Sequence, residues 1–383
     1  MKIIIAPDSF KESLSATDVA DAIERGILRG FPTAECIKLP IADGGEGTVD
    51  VMVCATAGRR FTVPVTGPMG TSVEGFFGIL GDGCTAVIEV AAACGLHLVA
   101  PEHRDPLSAT SYGAGELILA ALARGVSRIV ICLGGTAVNE CGAGMLQALG
   151  CRFLNAAREE IAPGAGGLAQ LASIDTTGLD PRLKEVELLL ACDVTNRLLG
   201  AQGATAVFGP QKGVTENTMA QIEGGLARVA RIIETQSGID ITGLEGGGAA
   251  GGMGATLQGI LHAKMRSGID LVLDMLHFDE AIRTADLVIT GEGRLDGQTS
   301  GGKGPAGVIH RAKARCCPAI AIAGSLGSGY ESLYPLGLAS AFSLVPGIIS
   351  YERALRDAPV LLESAAFNIA SLWHVAAGRG MRN

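Results

Sequence analysis

Residues 1–13 read MKIIIAPDSFKES, and residues 286–297, near the other end of the chain, read DLVITGEGRLDG. In both segments a short run of apolar, largely β-branched residues passes directly into a loop with charged residues, and the second loop also contains glycines. Such runs predict buried strands of a parallel sheet. Ligands of parallel sheets bind at the carboxyl ends of the strands, so both loops are candidate site segments.

The residues beside these strands extend the pattern. Ser15 predicts the cap of a helix over residues 16–29, because Asp18 stands three positions later as a capping-box partner. Residues 35–41 predict a second strand. Strands and helices alternate again late in the chain, starting with a predicted strand over residues 271–274.

The middle of the chain differs from both ends. Residues 60–80 alternate as antiparallel strands do, and residues 128–133 predict a further buried strand. We therefore predict an α/β fold of two domains, a Rossmann-like parallel-sheet domain interrupted by a large inserted mixed α/β domain. The first comprises residues 1–58 and 275–383, and the insert comprises residues 59–274.

Composition excludes several classes of protein. The 383 residues carry a net charge of −9 and only 4% aromatic residues, which disfavours binding to nucleic acid or to anionic membranes. The longest uncharged run, residues 246–263, is too weakly apolar to predict a membrane span. The ten cysteines show no C-x-x-C pair, which is typical of a reducing compartment, so we expect a cytoplasmic protein.

Two early loops carry groups suited to a site. Lys11 offers a cation, while Asp8, beside Ser9, offers a carboxylate for Mg²⁺ or a substrate hydroxyl; the simpler interpretation is a surface turn. Residues 43–48, DGGEGT, open a helix, where the backbone N–H groups of Gly44 and Gly45 favour an anion. The carboxylates of Asp43 and Glu46 flank these glycines.

Three later segments offer further polar groups. Thr136 and Asn139 follow a predicted strand in a glycine loop, and Lys212 lies on a glycine turn suited to phosphate. Asp193 ends a buried strand, which suits a general base or a metal ligand. Helix capping is the alternative interpretation for Asn139 and for Asp193.

Residues 291–303 form the most informative loop. Glu292, Arg294 and Asp296 lie within five positions, and Gly302 and Lys303 follow. Phosphoryl transfer needs metal-binding carboxylates, a cation and a glycine lining, all of which this loop contains. Its spacing also fits G-x-x-x-x-G-K, but glycine follows the lysine where a P-loop needs Ser or Thr, so we predict no P-loop.

Six segments, in this order, resemble the type 1 glycerate kinase family. They are residues 6–15 (APDSFKESLS), 41–48 (IADGGEGT), 192–196 (CDVTN), 207–213 (VFGPQKG), 247–255 (GGAAGGMGA) and 289–297 (ITGEGRLDG). The resemblance extends from residue 1 to about residue 375. It implies two α/β domains with one inserted in the other, and ATP-dependent phosphorylation of D-glycerate with Mg²⁺, giving mostly 2-phosphoglycerate.

The chain departs from that family pattern at three notable positions. Val138 and Glu140 stand where Thr and Asp are usual, and Arg197 stands where Pro is usual. If the loop with Val138 and Glu140 touches substrate, geometry or rate would be altered. Arg197 either adds a cation near the site or faces solvent.

The motifs and the resemblance together give a hypothesis for the site. Asp193 is the base, with Asp8 and Lys11 as further catalytic residues. The predicted Mg²⁺ ligands are Asp43, Glu46, Glu292 and Asp296. The predicted ligands of phosphate or substrate are Ser9, Gly44, Gly45, Thr136, Asn139, Lys212, Arg294, Gly302 and Lys303.

Other functions stay open at this point. Glycerate 3-phosphorylation, or phosphorylation of a related small hydroxy acid, fits the same motifs. A nicotinamide-dependent dehydrogenase is disfavoured because the loop after the first strand has no glycine. A non-catalytic small-molecule sensor could lose its carboxylates. It is disfavoured because four candidate carboxylates are present, namely Asp43, Asp193, Glu292 and Asp296. The sequence does not fix the oligomeric state, and a homodimer is one option.

Overall fold

The computed structural model describes residues 1–301 and 304–380. Its strands are β1 (Lys2–Pro7), β2 (Glu35–Lys38), β3 (Arg59–Thr66), β4 (Ser72–Ile79), β5 (Thr85–Glu89), β6 (Arg128–Cys132), β7 (Arg152–Leu154), β8 (Ser173–Asp175), β9 (Glu187–Ala191), β10 (Lys264–Arg266), β11 (Leu287–Gly291), β12 (Arg294–Leu295), β13 (Ala319–Ala323), β14 (Ser325–Leu326) and β15 (Leu338–Ser343).

The α-helices alternate with these strands, and short 3₁₀ turns join several of them. They are α1 (Ala16–Gly30), α2 (Thr48–Ala55), α3 (Ala91–Cys94), α4 (Tyr112–Leu122), α5 (Ala143–Ala148), α6 (Ala204–Phe208), α7 (Glu216–Ser237), α8 (Ala249–Leu261), α9 (Gly268–Met275), α10 (Phe278–Ala281), α11 (Gly304–Ala314), α12 (Tyr351–Arg356) and α13 (Ala358–Gly380). In the described part of the chain, no helix is both long enough and apolar enough to cross a membrane.

The first compact unit joins the two ends of the chain, residues 1–43 and the residues from Ile269 onward. Its five-stranded sheet is parallel throughout, in the order β15-β13-β11-β1-β2. Pro7 at the end of β1 lies opposite Gly291 at the end of β11. The loops that follow these two strands therefore leave the sheet at the same edge, as the sequence predicts.

Helix packing completes this first unit. Ser15 caps α1 by accepting a hydrogen bond from the Asp18 backbone N–H, as predicted. Helix α1 lies directly against α13. The contact is so close that a Cβ added at Gly26 would lie only 2.3 Å from the Glu363 carbonyl oxygen. The apolar side chains of both helices and of β1, β11 and β13 form one core. Gly26 is therefore needed for the close approach of the two helices.

The second compact unit is continuous, from Gly44 to Gly268. Its six-stranded sheet has the order β10-β9-β6-β5-β4-β3, in which β5, β6, β9 and β10 run parallel and β3 and β4 are antiparallel. Cys132, at the end of β6, lies opposite Glu89 of β5 and Ala191 of β9. The segments after β5, β6 and β9 thus start at one edge, and the predicted mixed α/β fold is confirmed.

Two local features differ from the sequence-based expectations. Helix α2 belongs to the second unit rather than to the first, because its Val49 and Val53 pack over Gly78 of β4. The prediction of a strand over residues 271–274 was wrong, since these residues lie in α9. Its Asp270 and Asp274, one helical turn apart, both pair with Arg311, at 2.9 Å and 2.6 Å.

Candidate functional site

In the first unit an acidic cluster lies just beyond β1 and β11. The Asp8 backbone N–H donates to the Gly291 carbonyl at 2.8 Å, and Asp8 Oδ1 accepts from the Ser9 N–H at 2.6 Å. The pKa of Asp8 is raised to about 7, mostly by burial and also by the negative charges of Asp43 and Glu292, while the Ser9 N–H and Lys11 oppose the rise. We call Asp8, Asp43 and Glu292 the acidic cluster. The charges of Asp43 and Glu292 disfavour the ionised form of Asp8.

Thr299 fixes the orientation of Glu292 within this cluster. Its buried hydroxyl donates to Glu292 Oε1 at 2.7 Å and accepts from the Asp296 backbone N–H at 3.2 Å. Sequence reasoning missed Thr299, although its place in the loop with Glu292 and Asp296 was a signal. The fold of the loop therefore sets the position of the Glu292 carboxylate before any ligand binds.

Arg294 and Asp296 lie on the same loop but pair with each other. Arg294 Nε lies 3.3 Å from Asp296 Oδ2, and the arginine side chain is exposed. Their predicted roles, phosphate binding and metal binding, stay predictions. Gly302 and Lys303 lie outside the described residues.

In the second unit, the side chain of Glu89, the last residue of β5, binds the backbone at the start of α2. Its Oε1 accepts from the Val49 backbone N–H at 2.7 Å, and the Gly47 N–H also bonds this carboxylate. Burial raises the pKa of Glu89 to about 7, and the charges of Asp50 and Glu46 add to the effect. A carboxylate of the protein thus binds the N–H groups of Gly47 and Val49 at the start of α2, and anion binding by the N–H groups of Gly44 and Gly45 stays a prediction. Sequence reasoning missed Glu89, although a lone acid in an otherwise apolar run was a signal.

The two glycine loops of the second unit touch each other. A Cβ at Gly44 would lie 3.2 Å from the Ala191 Cβ, and one at Gly134 would lie 3.1 Å from the Gly45 Cα. Gly44 also has a φ of 84°, which glycine adopts without strain. These positions need glycine because backbone meets backbone there. Glu46, on the same segment, is exposed.

Lys212 is buried beneath the loop of residues 134–140, with only 3% of its surface exposed. Its Nζ donates to Thr136 Oγ1 at 3.2 Å and to the Val138 carbonyl at 2.8 Å. Burial lowers the pKa of Lys212 to about 8. Asn139 is buried beside them and donates to Thr205 Oγ1 at 3.2 Å. The structure therefore brings Thr136, Asn139 and Lys212 together, and their predicted role in binding phosphate or substrate stays a prediction.

Glu140 and Val138 are interior residues. Glu140 accepts hydrogen bonds from the Ser111 N–H at 3.1 Å, from the Ser111 hydroxyl and from the Gly144 N–H at 3.1 Å. Burial raises its pKa to about 7. Val138 is fully buried in the core of the second unit. These two departures from the family pattern therefore lie in the interior of the second unit, while the third, Arg197, is exposed.

Asp193 follows β9 at the carboxyl edge of the second sheet. Its Oδ1 accepts from the Gly268 N–H at 2.8 Å and from the Ser267 hydroxyl at 3.0 Å. The side chain is half-buried, and two donors fix its orientation. These two hydrogen bonds hold the carboxylate in one orientation.

The four predicted Mg²⁺ ligands do not come from one unit. Asp43, Glu292 and Asp296 belong to the first unit, and Glu46 belongs to the second. Among the residues that the structure describes, no three His, Cys, Asp or Glu side chains are grouped closely enough to hold a metal by themselves.

Comparison with known proteins places this site in a family. The model of the glycerate kinase family matches residues 3–374. Glycerate kinase of Bacillus subtilis is 52% identical over 97% of each chain, and glycerate 2-kinase of Escherichia coli is 48% identical over the full length of both. A crystal structure of a proposed glycerate kinase 2 from Salmonella typhimurium LT2 superposes with a TM-score of 0.90, at 50% identity and 99% coverage of both chains. The chain therefore belongs to the glycerate kinase family.

Proposed function

We propose that this protein transfers the γ-phosphoryl group of ATP to the 2-hydroxyl of D-glycerate. The observation that carries the proposal is the acidic cluster at the carboxyl ends of two neighbouring parallel strands. Kinases use carboxylates to bind the Mg²⁺ that accompanies ATP. The choice of the 2-hydroxyl follows the Escherichia coli relative, which is named a glycerate 2-kinase.

The acidic cluster fits Mg²⁺ by its chemistry. Magnesium takes oxygen ligands and is commonly held by one or two carboxylates together with substrate phosphates. We assign Asp43 and Glu292 to this role, and Asp296 and Glu46 remain further candidates. When bound, Mg²⁺ would neutralise charge on the phosphates of ATP. Asp8, whose pKa of about 7 suits proton transfer, belongs to the same reaction centre.

We assign the proton acceptor for the glycerate hydroxyl to Asp193. Its carboxylate is fixed through Oδ1 by Ser267 and Gly268. As the hydroxyl oxygen attacks the γ-phosphorus, its proton passes to the Asp193 carboxylate, the bond from the γ-phosphorus to the bridging β-phosphate oxygen breaks, and ADP leaves. We assign the binding of phosphate oxygens to Lys11, which is exposed on the loop after β1, and to Arg294.

The test is a coupled ADP-release assay with purified protein, MgATP and D-glycerate, with the product identified by ³¹P NMR. We expect turnover and a single product, 2-phosphoglycerate. A 3-phosphate product would contradict the assigned regiochemistry. No turnover on D-glycerate, combined with turnover on another small hydroxy acid, would contradict the assigned acceptor.

A further inference from the structure

Lys212 carries a buried charge, and no carboxylate of the described residues pairs with it. Among the described residues, no Asp or Glu oxygen lies within ion-pair distance of its Nζ, and both of its hydrogen-bond partners are neutral. A buried ammonium without a counter-ion is costly to a fold. A buried positive charge at this position therefore needs an explanation in terms of function.

The loop above Lys212 offers donors that the protein does not use. In the described part of the chain, the backbone N–H groups of Gly134 and Gly135 donate to no acceptor, although the Gly135 carbonyl accepts from the Leu96 N–H at 2.8 Å. Both glycines are exposed. Gly135 has a φ of 73°, a left-handed conformation that occurs in backbone turns that bind anions.

Thr136 connects the buried charge to these exposed donors. Because its Oγ1 accepts a hydrogen bond from Lys212, the hydroxyl proton must point to another acceptor. None of the described residues accepts it. An anionic oxygen at the loop would receive this proton together with the two glycine N–H groups.

The loop lies beside the residue assigned as the base. It follows β6, whose Cys132 lies opposite Ala191 of β9, and Asp193 comes two residues after Ala191. In glycerate the carboxylate is bonded directly to the carbon that carries the 2-hydroxyl. An acceptor with its hydroxyl at Asp193 would therefore have its carboxylate within a few ångströms of that base.

We propose that Gly134, Gly135 and Thr136 bind the carboxylate of the phosphoryl acceptor, and that Lys212 is a positioning residue that supplies the balancing charge from beneath. This inference rests on the proposed glycerate kinase function. It differs from the prediction that Lys212 itself binds phosphate or substrate, since the ammonium is enclosed by Thr136 and Val138. The titratable and charged groups around it are the Cys94 thiol, which Glu140 faces, and Arg104, which donates to the Gln211 carbonyl at 3.0 Å.

The experiment compares Lys212→Met and Lys212→Arg with the unaltered protein, by steady-state kinetics and by calorimetric titration with D-glycerate alone. We expect Lys212→Met to raise KM and Kd for D-glycerate about tenfold or more, a loss of about 1.4 kcal/mol, with KM for ATP changed far less. Lys212→Arg, which keeps the charge, should restore most of the affinity. Lys184→Met, an exposed lysine of the same unit, is the control.

A pH series separates the charge from a merely structural role. Because the pKa of Lys212 is lowered to about 8, the affinity of the unaltered protein for D-glycerate should fall as pH rises from 7 to 9. Lys212→Arg should lose this dependence, because arginine stays protonated. Thr136→Val, which keeps the shape but removes the hydroxyl, should weaken D-glycerate binding without changing the melting temperature greatly.

The outcomes distinguish this inference from the proposed function. Unchanged KM and Kd for D-glycerate in folded Lys212→Met would overturn the inference while the kinase function stands. A larger effect on KM for ATP would also overturn it, because the loop would then bind a phosphate. Binding of D-glycerate that depends on Lys212, without ADP release, would overturn the proposed function alone.

Discussion

Asp8 of the first unit and Glu140 of the second unit both carry a carboxyl group whose pKa is raised to about 7, and burial is the largest cause in each. Their neighbours differ. Glu140 accepts hydrogen bonds from Ser111 and Gly144, whereas Asp8 accepts one from Ser9 and faces the negative charges of Asp43 and Glu292. A raised pKa alone therefore does not identify a reactive group. Like charges left close together point to a ligand, and a full set of internal donors points to a structural role.

The largest effect is expected at Asp193, the half-buried carboxylate of the second unit. If oriented carboxylates at strand ends are the reactive ones, Asp193→Asn should lower kcat by about 100-fold or more with little loss of stability. Steady-state kinetics and thermal melting measure both quantities, with Asp240→Asn as an exposed control. An unchanged kcat would remove Asp193 from the reaction.

Asp8→Asn should separate activity from stability within the acidic cluster. We expect kcat to fall by about 10-fold or more, and the Mg²⁺ concentration for half-maximal rate to rise, because one carboxylate near the cation is lost. The melting temperature should stay the same or rise, since like-charge repulsion is relieved. Glu12→Gln, on the same loop but exposed, is the matched control. A large loss of stability with normal kinetics would make Asp8 structural and break the comparison.

Substitution of Glu140 should lower stability rather than kcat, in contrast to substitution of Asp8. Glu140→Ala leaves the buried Ser111 and Gly144 donors without their acceptor, so we expect it to lower the free energy of unfolding by about 3 kcal/mol. Glu140→Gln keeps one acceptor oxygen and should cost less. Urea unfolding measures both variants. Normal stability of Glu140→Ala, with kcat lost, would place this residue in the chemistry.

The smallest effect concerns the pH dependence of stability at Glu89. Its pKa rises from 4.5 to about 7 on folding, so between these values the folded state binds more protons than the unfolded state. The free energy of unfolding therefore falls as pH rises, by at most about 1.4 kcal/mol per pH unit from this group. Glu89→Gln should reduce that slope, and Glu74→Gln, an exposed acid of β4, should not. Equal slopes in urea titrations between pH 5 and 7 would contradict the assigned role.

Local sequence was enough for much of the fold. Apolar runs that end at loops with acidic residues located β1, β11 and their loops, and Ser15 with Asp18 located the start of α1. These signals are local, because strand ends and helix caps depend on a few neighbouring residues. The same rule found Asp8, Asp193 and Glu292 as strand-end carboxylates.

Long-range packing decided what could not be predicted. A lysine between glycines, as at Lys212, is typical of a surface turn, and its burial depends on Val138, which lies 74 positions earlier. Glu89 is likewise explained by Val49, 40 positions away. The short apolar run 271–274 fits either a strand or a helix. The pairing of both Asp270 and Asp274 with Arg311, on another helix, shows that the two acids lie on one helical face.

The discontinuity of the first unit has a consequence for biosynthesis. Strand β1 needs β11 as a partner, yet translation must proceed from Pro7 to Leu287 before β11 exists. At roughly 5–20 residues per second, this leaves β1 on the ribosome without that neighbour for roughly 15–60 s. The continuous second unit, Gly44–Gly268, emerges complete in the meantime. We therefore expect the nascent residues 1–43 to be the part of the chain that most depends on protection by chaperones.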